Sequence, residues 1–480
     1  MNYIISKKRG NAIFYSIVIM IVFLFFTLFI DWQQGNWNKE IILASLLLLL
    51  YQTWSIKTIT GKLITPITVF LLLFYLFQNG YFLLYFFDIN NNNVYFDIAS
   101  VNLPNLIMFS SISSNLFALG GIILAKENGI SSAPVGLKKM SYIFSVYKKE
   151  IRRLAFLGIL ICMLGVIPFS INNFILFLAG GYNFARDSVN DTSGVIGFLV
   201  YMYPVFSILY LVLSKGEESS KYKFRFILYS FIIWLLFTAI SGNRTVGITG
   251  LVILYLLFNK GEVNKNKILK YIRLITMFIF ISMLVPFISS YRVSGNIGEA
   301  VDYVFNNSLN FVILMISELG FSFFPLHLSM EVFPQQQDFL LGKGYIASFI
   351  AGIVPSSLDP TGYISEILMT GRIYSDIQTY FSYLTFGVGF SLNAEAYVNF
   401  GWFGLLSIFI LSLIINYFLS VYRCGAINEK YGEYISLVML FSWGTLVRRD
   451  SYYIWKAIMY NIVFINIYIL LFIKYFKSHK

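Results

Sequence analysis

Six arginine residues stand in polar segments between long apolar stretches, and their side chains are suited to binding phosphate. They are Arg186, Arg244, Arg292, Arg372, Arg448 and Arg449. The guanidinium group presents a planar fork of donors that matches two phosphate oxygens at once, whereas the lysine ammonium group acts as a point charge. The group therefore predicts a phosphate or pyrophosphate ligand. Pairing of individual arginines with acids such as Asp187 or Asp450 is the alternative.

Four further residues could take a proton from a reacting hydroxyl group. His327 and Glu395 are the first candidates for a general base, with Glu318 and Asp450 in reserve. Glu395 precedes a long apolar stretch, where partial loss of water makes a carboxylate a stronger base. The alternative is structural: His327 is incidental, and Glu395 pairs with one of the arginines.

No residue pattern of a metal site accompanies these candidates. The polar segments contain no Asp-x-Asp pair and no cluster of histidines and acids with the spacing of metal ligands. The two cysteines, Cys162 and Cys424, are too few for a disulfide framework and too far apart for a metal site. We therefore expect no metal and no cofactor, with fixed cations stabilising the negative charge that develops during reaction.

The elements that position these residues are predicted to be membrane-spanning helices. The chain has 480 residues, of which 58% are hydrophobic and 12% charged, as is typical of a multi-pass membrane protein. The first apolar stretch is too long for the core of a signal peptide. Stretches of suitable length predict twelve spans, near residues 11–30, 40–56, 64–87, 105–125, 154–171, 195–214, 226–241, 246–258, 274–290, 396–422, 434–447 and 457–473.

The distribution of charge predicts the orientation of these spans. With the N-terminus inside, most of the 35 Lys and Arg residues fall on the cytoplasmic side, so both termini are predicted to be cytoplasmic. Most of the 23 acids then face outward, together with all six arginines named above. The basic pI follows from this topology and does not indicate nucleic-acid binding.

This topology divides the chain into three regions. Residues 1–290 hold nine spans, residues 291–394 form one large extracytoplasmic loop, and residues 395–480 hold three spans and a basic tail. The loop contains an apolar piece that is interrupted by Glu318, Pro325 and His327. We expect this piece to form interfacial or re-entrant helices, because a further span would place the basic C-terminus outside.

Two shorter outer segments also carry arginines. The sequence SGNRTVG places Arg244 at the start of a helix, where free amide groups and the helix dipole favour an anion. In the segment FLAGGYNFARDSVNDTSGVIG, Gly180 and Gly181 allow a tight turn before Arg186. Ten residues separate Arg186 from Gly197.

The layout and several short motifs resemble Wzy-type polymerases, also called O-antigen or oligosaccharide repeat unit polymerases. The motifs are the GNR junction at Arg244, ELGFSFFP from Glu318 and the closing NAEAYVNFGWFG. Outer loops of this family are described as carrying an arginine, ten residues and a glycine. Arg186 and Gly197 match this pattern, whereas the positions eleven places after Arg292 and Arg372 are both tyrosines, Tyr303 and Tyr383.

The resemblance implies an all-helical membrane protein with the lipid-sugar, GT-C-like glycosyltransferase architecture thought to be shared with O-antigen ligases. It implies transfer of a growing glycan from undecaprenyl pyrophosphate to the next lipid-linked repeat unit, at the outer face of the plasma (inner) membrane. The product would be a surface polysaccharide such as O-antigen or capsule. A chain-length regulator and a flippase are possible partners, and the arginines, Arg244 and Arg292 first, would bind the pyrophosphate.

Two other functions are alternatives. An O-antigen ligase uses the same donor with a different acceptor, and the sequence barely separates it from a polymerase. A flippase for lipid-linked oligosaccharides would need polar or charged residues along a cavity through the membrane. Apart from Glu40 at the first position of the second span, the predicted spans contain no Asp, Glu, Lys, Arg or His, which argues against this function and against ion-driven transport.

Overall fold

The computed structural model is helical, and the part of the chain that it describes contains no strand. The structure describes residues 2–29, 37–89, 102–125, 135–190, 194–217, 221–241, 244–259, 267–306, 311–354, 390–423, 427–444 and 446–478. At some of these positions only the backbone is described, and Arg186, Arg244 and Arg292 are among them.

The α-helices of the described residues are numbered in chain order. They are α1 (Asn2–Phe29), α2 (Asn38–Thr60), α3 (Pro66–Phe86), α4 (Leu103–Leu124), α5 (Val135–Val146), α6 (Lys148–Asn190), α7 (Val195–Ser214), α8 (Lys221–Ile240), α9 (Arg244–Asn259), α10 (Lys267–Ser294), α11 (Ile297–Asn306), α12 (Phe311–Gly320), α13 (Phe324–Val332), α14 (Lys343–Ile353), α15 (Leu392–Phe400), α16 (Gly404–Ser420), α17 (Glu429–Trp443), α18 (Tyr452–Ile458) and α19 (Ile465–Ser478).

Ten helical segments of the described chain are long and apolar enough to cross a membrane. They are Arg9–Thr27, Asn38–Thr60, Pro66–Phe86, Leu103–Leu124, Lys148–Phe177, Val195–Ser214, Lys221–Ala239, Phe311–Val332, Leu392–Ser420 and Tyr452–Tyr475. Two shorter apolar helices, Thr245–Phe258 and Ile275–Tyr291, coincide with the predicted eighth and ninth spans. The predicted class, an all-helical multi-pass membrane protein, is confirmed, while the number of twelve spans and the cytoplasmic position of both termini stay predictions.

Two of these segments differ from the sequence expectation. The predicted break near Pro325 takes the form of a 3₁₀ turn at Phe321–Phe323 between α12 and α13; Pro325 lies in the first turn of α13, where a proline needs no N–H partner, and the helical path continues. Phe311–Val332, with Glu318 and His327, is therefore long enough to span, and Leu392–Ser420 includes Glu395. These candidate segments, like several others, include acidic or basic residues that the predicted span boundaries leave out, and the absence of such residues from the membrane stays a prediction.

The helices divide into two compact units, which we describe separately. Unit 1 comprises Met1–Ile130, Leu319–Ser420 and Leu446–Ala457. Unit 2 comprises Ser131–Glu318, Val421–Thr445 and Ile458–Lys480.

Uncharged polar side chains join the helices of unit 1. Asn79 of α3 donates to the Ser114 hydroxyl of α4 at 2.7 Å. Asn115, also on α4, donates to the Ser45 hydroxyl of α2 at 2.8 Å. All four side chains are buried, and such hydrogen bonds between apolar helices fix which faces pack together.

A sharp corner separates α15 from α16 in unit 1. Gly401 has φ of 57°, a left-handed conformation that glycine adopts without a steric penalty. Three residues later the backbone of Gly404 lies so close to α15 that a Cβ atom there would stand 2.2 Å from the Ala396 carbonyl oxygen. The two glycines therefore allow the short helix α15 to lie directly against the start of α16.

In unit 2, α6 is one continuous helix of 43 residues. It runs through Gly180 and Gly181, so the tight turn that these glycines allow before Arg186 does not form. Glycine permits a turn but does not require one, and in a helix interior it costs only about 1 kcal/mol relative to alanine. Phe177 of α6 packs on Tyr291 of α10 with ring centroids 4.9 Å apart, which joins the two helices in the unit's interior.

Candidate active site

The first turn of α15 positions Glu395. The Ser391 hydroxyl accepts the backbone N–H of Ala394 at 3.2 Å and so caps the helix at its N-terminus. Glu395 follows one residue later and is 2% exposed. A capped helix of unit 1 therefore carries this carboxylate into the interior.

Three hydrogen bonds hold the Glu395 carboxylate. The backbone N–H of Ser451 donates to Oε2 and its hydroxyl donates to Oε1, each at 2.7 Å. The Ser348 hydroxyl of α14 also donates to Oε1, at 3.2 Å. No lysine or arginine of the described chain forms an ion pair with Glu395. Neutral donors from two other segments therefore fix this carboxylate.

Asp450 lies beside Glu395, and the charges of the two carboxylates act on one another. Asp450 is 3% exposed, so little water separates or screens the two groups. Acids this close exchange and hold protons as a pair rather than as independent groups. The structure thus brings together two of the four residues that the sequence analysis names as general bases. We call Glu395 and Asp450 the acid pair.

Helix α14 supports the same region. The N–H of Gly344 donates to the Asn399 side-chain oxygen at 3.1 Å, which docks the start of α14 on α15. The Tyr345 hydroxyl lies 2.7 Å from that of Ser407. Burial first, and then the charge of Glu395, raise the pKa of Tyr345 well above its ordinary value. Tyr345 is therefore a neutral phenol at physiological pH.

A turn formed by residues 446–451 connects the acid pair to two arginines. At one end, Gln78 of α3 donates to the Val447 carbonyl at 3.1 Å. At the other end, Ser451 donates to Glu395. Arg448 and Arg449 lie between these two anchors, so their backbones are fixed by contacts from two different helices.

The side chains of Arg448 and Arg449 are partly exposed, unlike the acid pair. The guanidinium group of Arg449 lies 4.2 Å from the centre of the Tyr453 ring, a cation–π contact that orients it. The 446–451 turn therefore presents basic groups towards its surface and carries Asp450 in the interior. This arrangement suits an anion held next to a proton acceptor.

His327 lies elsewhere in unit 1. It is completely buried in α13, with its ring against Phe324 and its Nε2 atom 3.2 Å from the Glu331 carboxylate one turn later. No described contact joins it to the acid pair. Its role as a base stays a prediction.

The remaining candidates lie in unit 2 or outside the described residues. Glu318 accepts a hydrogen bond from the Ser289 hydroxyl at 2.7 Å, and after burial its charge is the second cause that raises the pKa of Tyr303. Arg186 lies within α6 and Arg292 lies within α10. Arg244 begins α9, as predicted. The side chains of these three arginines, and all of Arg372, lie outside what the structure describes.

Sequence reasoning missed the residues that hold the acid pair and its turn. Ser348, Ser451 and Gln78 contact partners 47, 56 and 369 residues away, and no local pattern predicts such contacts. Only the Ser391 cap could have been predicted, because a serine that precedes an acid in a first helical turn is a typical N-terminal pattern. Among the described residues, no three His, Cys, Asp or Glu side chains form a group that could hold a metal ion.

Ten apolar helices and a buried acid pair next to two partly exposed arginines define a multi-pass membrane protein with a candidate site for acid–base chemistry on an anionic substrate. The family model of the O-antigen polysaccharide polymerase Wzy matches residues 15–480, nearly the whole chain, so the chain belongs to this family. The resemblance found in the sequence is thereby confirmed. No curated protein and no solved structure matches the chain.

Proposed function

We propose that the chain polymerises oligosaccharide repeat units carried on undecaprenyl pyrophosphate, at the outer face of the plasma membrane. Membership of the Wzy family supports a polymerase that acts on repeat units. The outward position of the arginines rests on the distribution of Lys and Arg along the sequence. The product is a surface polysaccharide.

The reaction places two demands on the protein. The bond between the anomeric carbon of the growing glycan and the pyrophosphate oxygen breaks, and its electron pair leaves with the pyrophosphate. A hydroxyl oxygen of the next repeat unit forms the new bond to that carbon and loses its proton. The site must therefore stabilise a departing diphosphate and accept a proton.

The observation that carries the proposal is the acid pair beside Arg448 and Arg449 on one anchored turn. One carboxylate of the pair takes the proton of the acceptor hydroxyl, and Arg448 and Arg449 bind the departing diphosphate. Arginine suits this role because each guanidinium group can donate two parallel hydrogen bonds to phosphate oxygens. Arg186, Arg244, Arg292 and Arg372 stay predicted pyrophosphate ligands, His327 stays a predicted base, and Glu318 stays a reserve base.

The two alternatives differ in what they do with the acceptor. A ligase would transfer the glycan to an acceptor other than a lipid-linked repeat unit, and a flippase would transfer nothing. The family match favours the polymerase over both. The acid pair also favours an enzyme over a flippase, because moving a glycan across the bilayer breaks no bond and releases no proton.

The test is an assay with purified protein in liposomes and the lipid-linked repeat unit isolated from the host strain after inactivation of this gene. We expect polymer to form and undecaprenyl pyrophosphate to be released, with or without EDTA. Asp450→Asn and Glu395→Gln preserve shape but remove the base, so the rate should fall by about 10²–10⁴-fold for the residue that takes the proton. Arg449→Ala should also lower the rate, and Arg449→Lys should restore it only weakly.

Lys138→Ala, an exposed position on α5, serves as the control and should keep the wild-type rate. Wild-type rates in both acid variants would remove the acid pair from the reaction. Transport of the lipid across the bilayer without polymer would instead establish the flippase.

A further inference from the structure

Several buried polar side chains of unit 1 have hydrogen-bonding atoms without a partner among the described residues, and three of these side chains stand on helices α3, α4 and α15 near the acid pair. They are both amide atoms of Asn393 on α15, the Oε1 atom of Gln78 on α3 and the hydroxyl of Ser110 on α4. Each of the three residues is 0% exposed. Unsatisfied polar atoms in a protein interior cost free energy, so several in one region indicate a missing ligand.

Described contacts join the helices that carry these three residues, through residues next to them or one turn away. Asn79, next to Gln78, donates to the Ser110 carbonyl at 3.3 Å, so α3 and α4 meet at this level. Phe109, next to Ser110, packs edge-on against Tyr397, one helical turn after Asn393, with centroids 5.7 Å apart. The three unsatisfied side chains therefore belong to helices that contact one another at these positions.

The same region adjoins the candidate active site. Gln78 uses its Nε2 atom to hold the 446–451 turn through Val447, which leaves Oε1 as its unused atom. Asn393 lies in the first turn of α15, two residues before Glu395. A ligand of these side chains would therefore lie next to both elements that carry the acid pair.

The chemistry of the unsatisfied atoms indicates a neutral ligand with several hydroxyl groups. Asn393 offers two donor hydrogens and one acceptor, Gln78 offers an acceptor, and Ser110 can donate or accept. An anion would find a carbonyl oxygen at Gln78 and the acid pair nearby, both of which repel it. Aromatic rings border the region, since Trp402, which is 36% exposed, packs on Phe109 at 5.5 Å. Hydroxyl-binding amides next to aromatic rings suit a sugar.

We propose that Asn393, Gln78 and Ser110 form a subsite that binds a sugar ring of the lipid-linked substrate. This inference rests on the proposed function and specifies how the glycan, rather than its pyrophosphate, is recognised. Arg448 and Arg449 bind the diphosphate, and the subsite brings the saccharide to the first turn of α15. The subsite contributes to binding and orientation and takes no part in proton transfer.

The test compares the binding of two lipids to detergent-solubilised protein by native mass spectrometry. One lipid is the host's lipid-linked repeat unit and the other is undecaprenyl pyrophosphate without sugar. Asn393→Leu should weaken binding of the repeat unit about tenfold, the effect of losing hydrogen bonds to one sugar, and leave the bare lipid unchanged. Ser110→Ala, a smaller change, should act in the same direction.

A stability measurement separates this role from a structural one. Asn393→Leu replaces an unsatisfied amide by an apolar side chain of similar size, so the melting temperature without ligand should stay the same or rise. Asn399→Leu on the same helix is the matched control. The Asn399 side-chain oxygen accepts the Gly344 N–H, and its amide nitrogen donates to the backbone carbonyl of Glu395. Loss of this amide should therefore lower the melting temperature.

Each contrary outcome has a defined meaning. Equal loss of melting temperature in Asn393→Leu and Asn399→Leu would make Asn393 structural and overturn the subsite. Unchanged binding of the repeat unit by Asn393→Leu and Ser110→Ala would also overturn it, while the proposed function stands. Failure of the wild-type protein to bind either lipid would overturn the proposed function itself.

Discussion

Ser451 is the main support of the Glu395 side chain, because it supplies two of the three hydrogen bonds to that carboxylate. Its hydroxyl lies at 2.7 Å from Oε1, whereas the Ser348 hydroxyl lies at 3.2 Å from the same atom. The shorter bond is the stronger one, and both donors are buried. The orientation of Glu395 therefore depends more on the 446–451 turn than on α14.

Removal of the two hydroxyls should reveal this difference. Ser451→Ala should destabilise the protein by about 1–3 kcal/mol, because a buried acceptor loses its closest donor. Ser348→Ala should have a smaller effect. Thermal unfolding in detergent micelles, followed by tryptophan fluorescence, measures both. A larger effect of Ser348→Ala would show that α14 is the principal support.

The sequence predicts Glu395 and Asp450 as separate candidates, but it predicts neither their proximity nor the residues around them. Glu395 and Asp450 could be predicted because acids are rare in this chain, and each borders an apolar stretch. Their proximity could not, because it depends on the path of 54 intervening residues, including a turn held by Gln78 from the N-terminal part of the chain. The unsatisfied amide of Asn393 could not be predicted either, since burial and missing partners are properties of the folded chain.

The corner between α15 and α16 sets the position of the acid pair at the level of helices. Gly404 allows the start of α16 to touch the backbone of α15 at Ala396. Any side chain at this position would push the two helices apart. Because α15 carries Glu395 and Asn393, the corner controls both the acid pair and the proposed sugar subsite.

Gly404→Ala should therefore lower both stability and activity. The added Cβ atom would stand 2.2 Å from the Ala396 carbonyl oxygen, and overpacking of this kind costs about 1–3 kcal/mol or more. Gly10→Ala is the control, because a Cβ there meets nothing within 4 Å. The yield of monodisperse protein in size-exclusion chromatography measures the effect. Equal yields from the two variants would contradict the close packing at this corner.

Sequence patterns predicted the existence of the helices better than their ends. Long apolar stretches correspond to helices because a chain in lipid must satisfy its own backbone hydrogen bonds. The predicted tenth span begins at residue 396, whereas α15 begins at Leu392 after its Ser391 cap. The difference arises because hydropathy rises only after Glu395. Gly180 and Gly181 allow a turn, but the helix α6 continues through them, since two glycines add only a small cost to a long helix.

The charge distribution makes a prediction about the whole molecule. If cytoplasmic segments hold most of the lysines, then Glu299 on α11 faces outward and Tyr222 on α8 faces the cytoplasm. Both side chains are exposed, and Tyr222 is 86% exposed, so cysteines at these positions should be accessible to a reagent.

The test uses a variant in which Cys162 and Cys424 are replaced by serine. Glu299→Cys should react with a membrane-impermeant maleimide on intact cells. Tyr222→Cys should react only after the membrane is made permeable. The reverse pattern would place residues 291–394 inside the cell and exclude an active site on the outer face. The hydropathy pattern alone could not decide this, because it predicts spans but not their direction.

Basic and acidic residues meet within three positions on the 446–451 turn, Arg448 to Asp450, and for the proposed lipid-linked substrate this has a consequence for its entry. The basic surface attracts the lipid's phosphates, whereas the interior acids repel them. A donor that approached with its diphosphate leading would therefore be turned away, and one that approached with its saccharide leading would be accepted. Under the proposed function the turn would thus impose a single direction of entry, which would keep the leaving group apart from the proton acceptor.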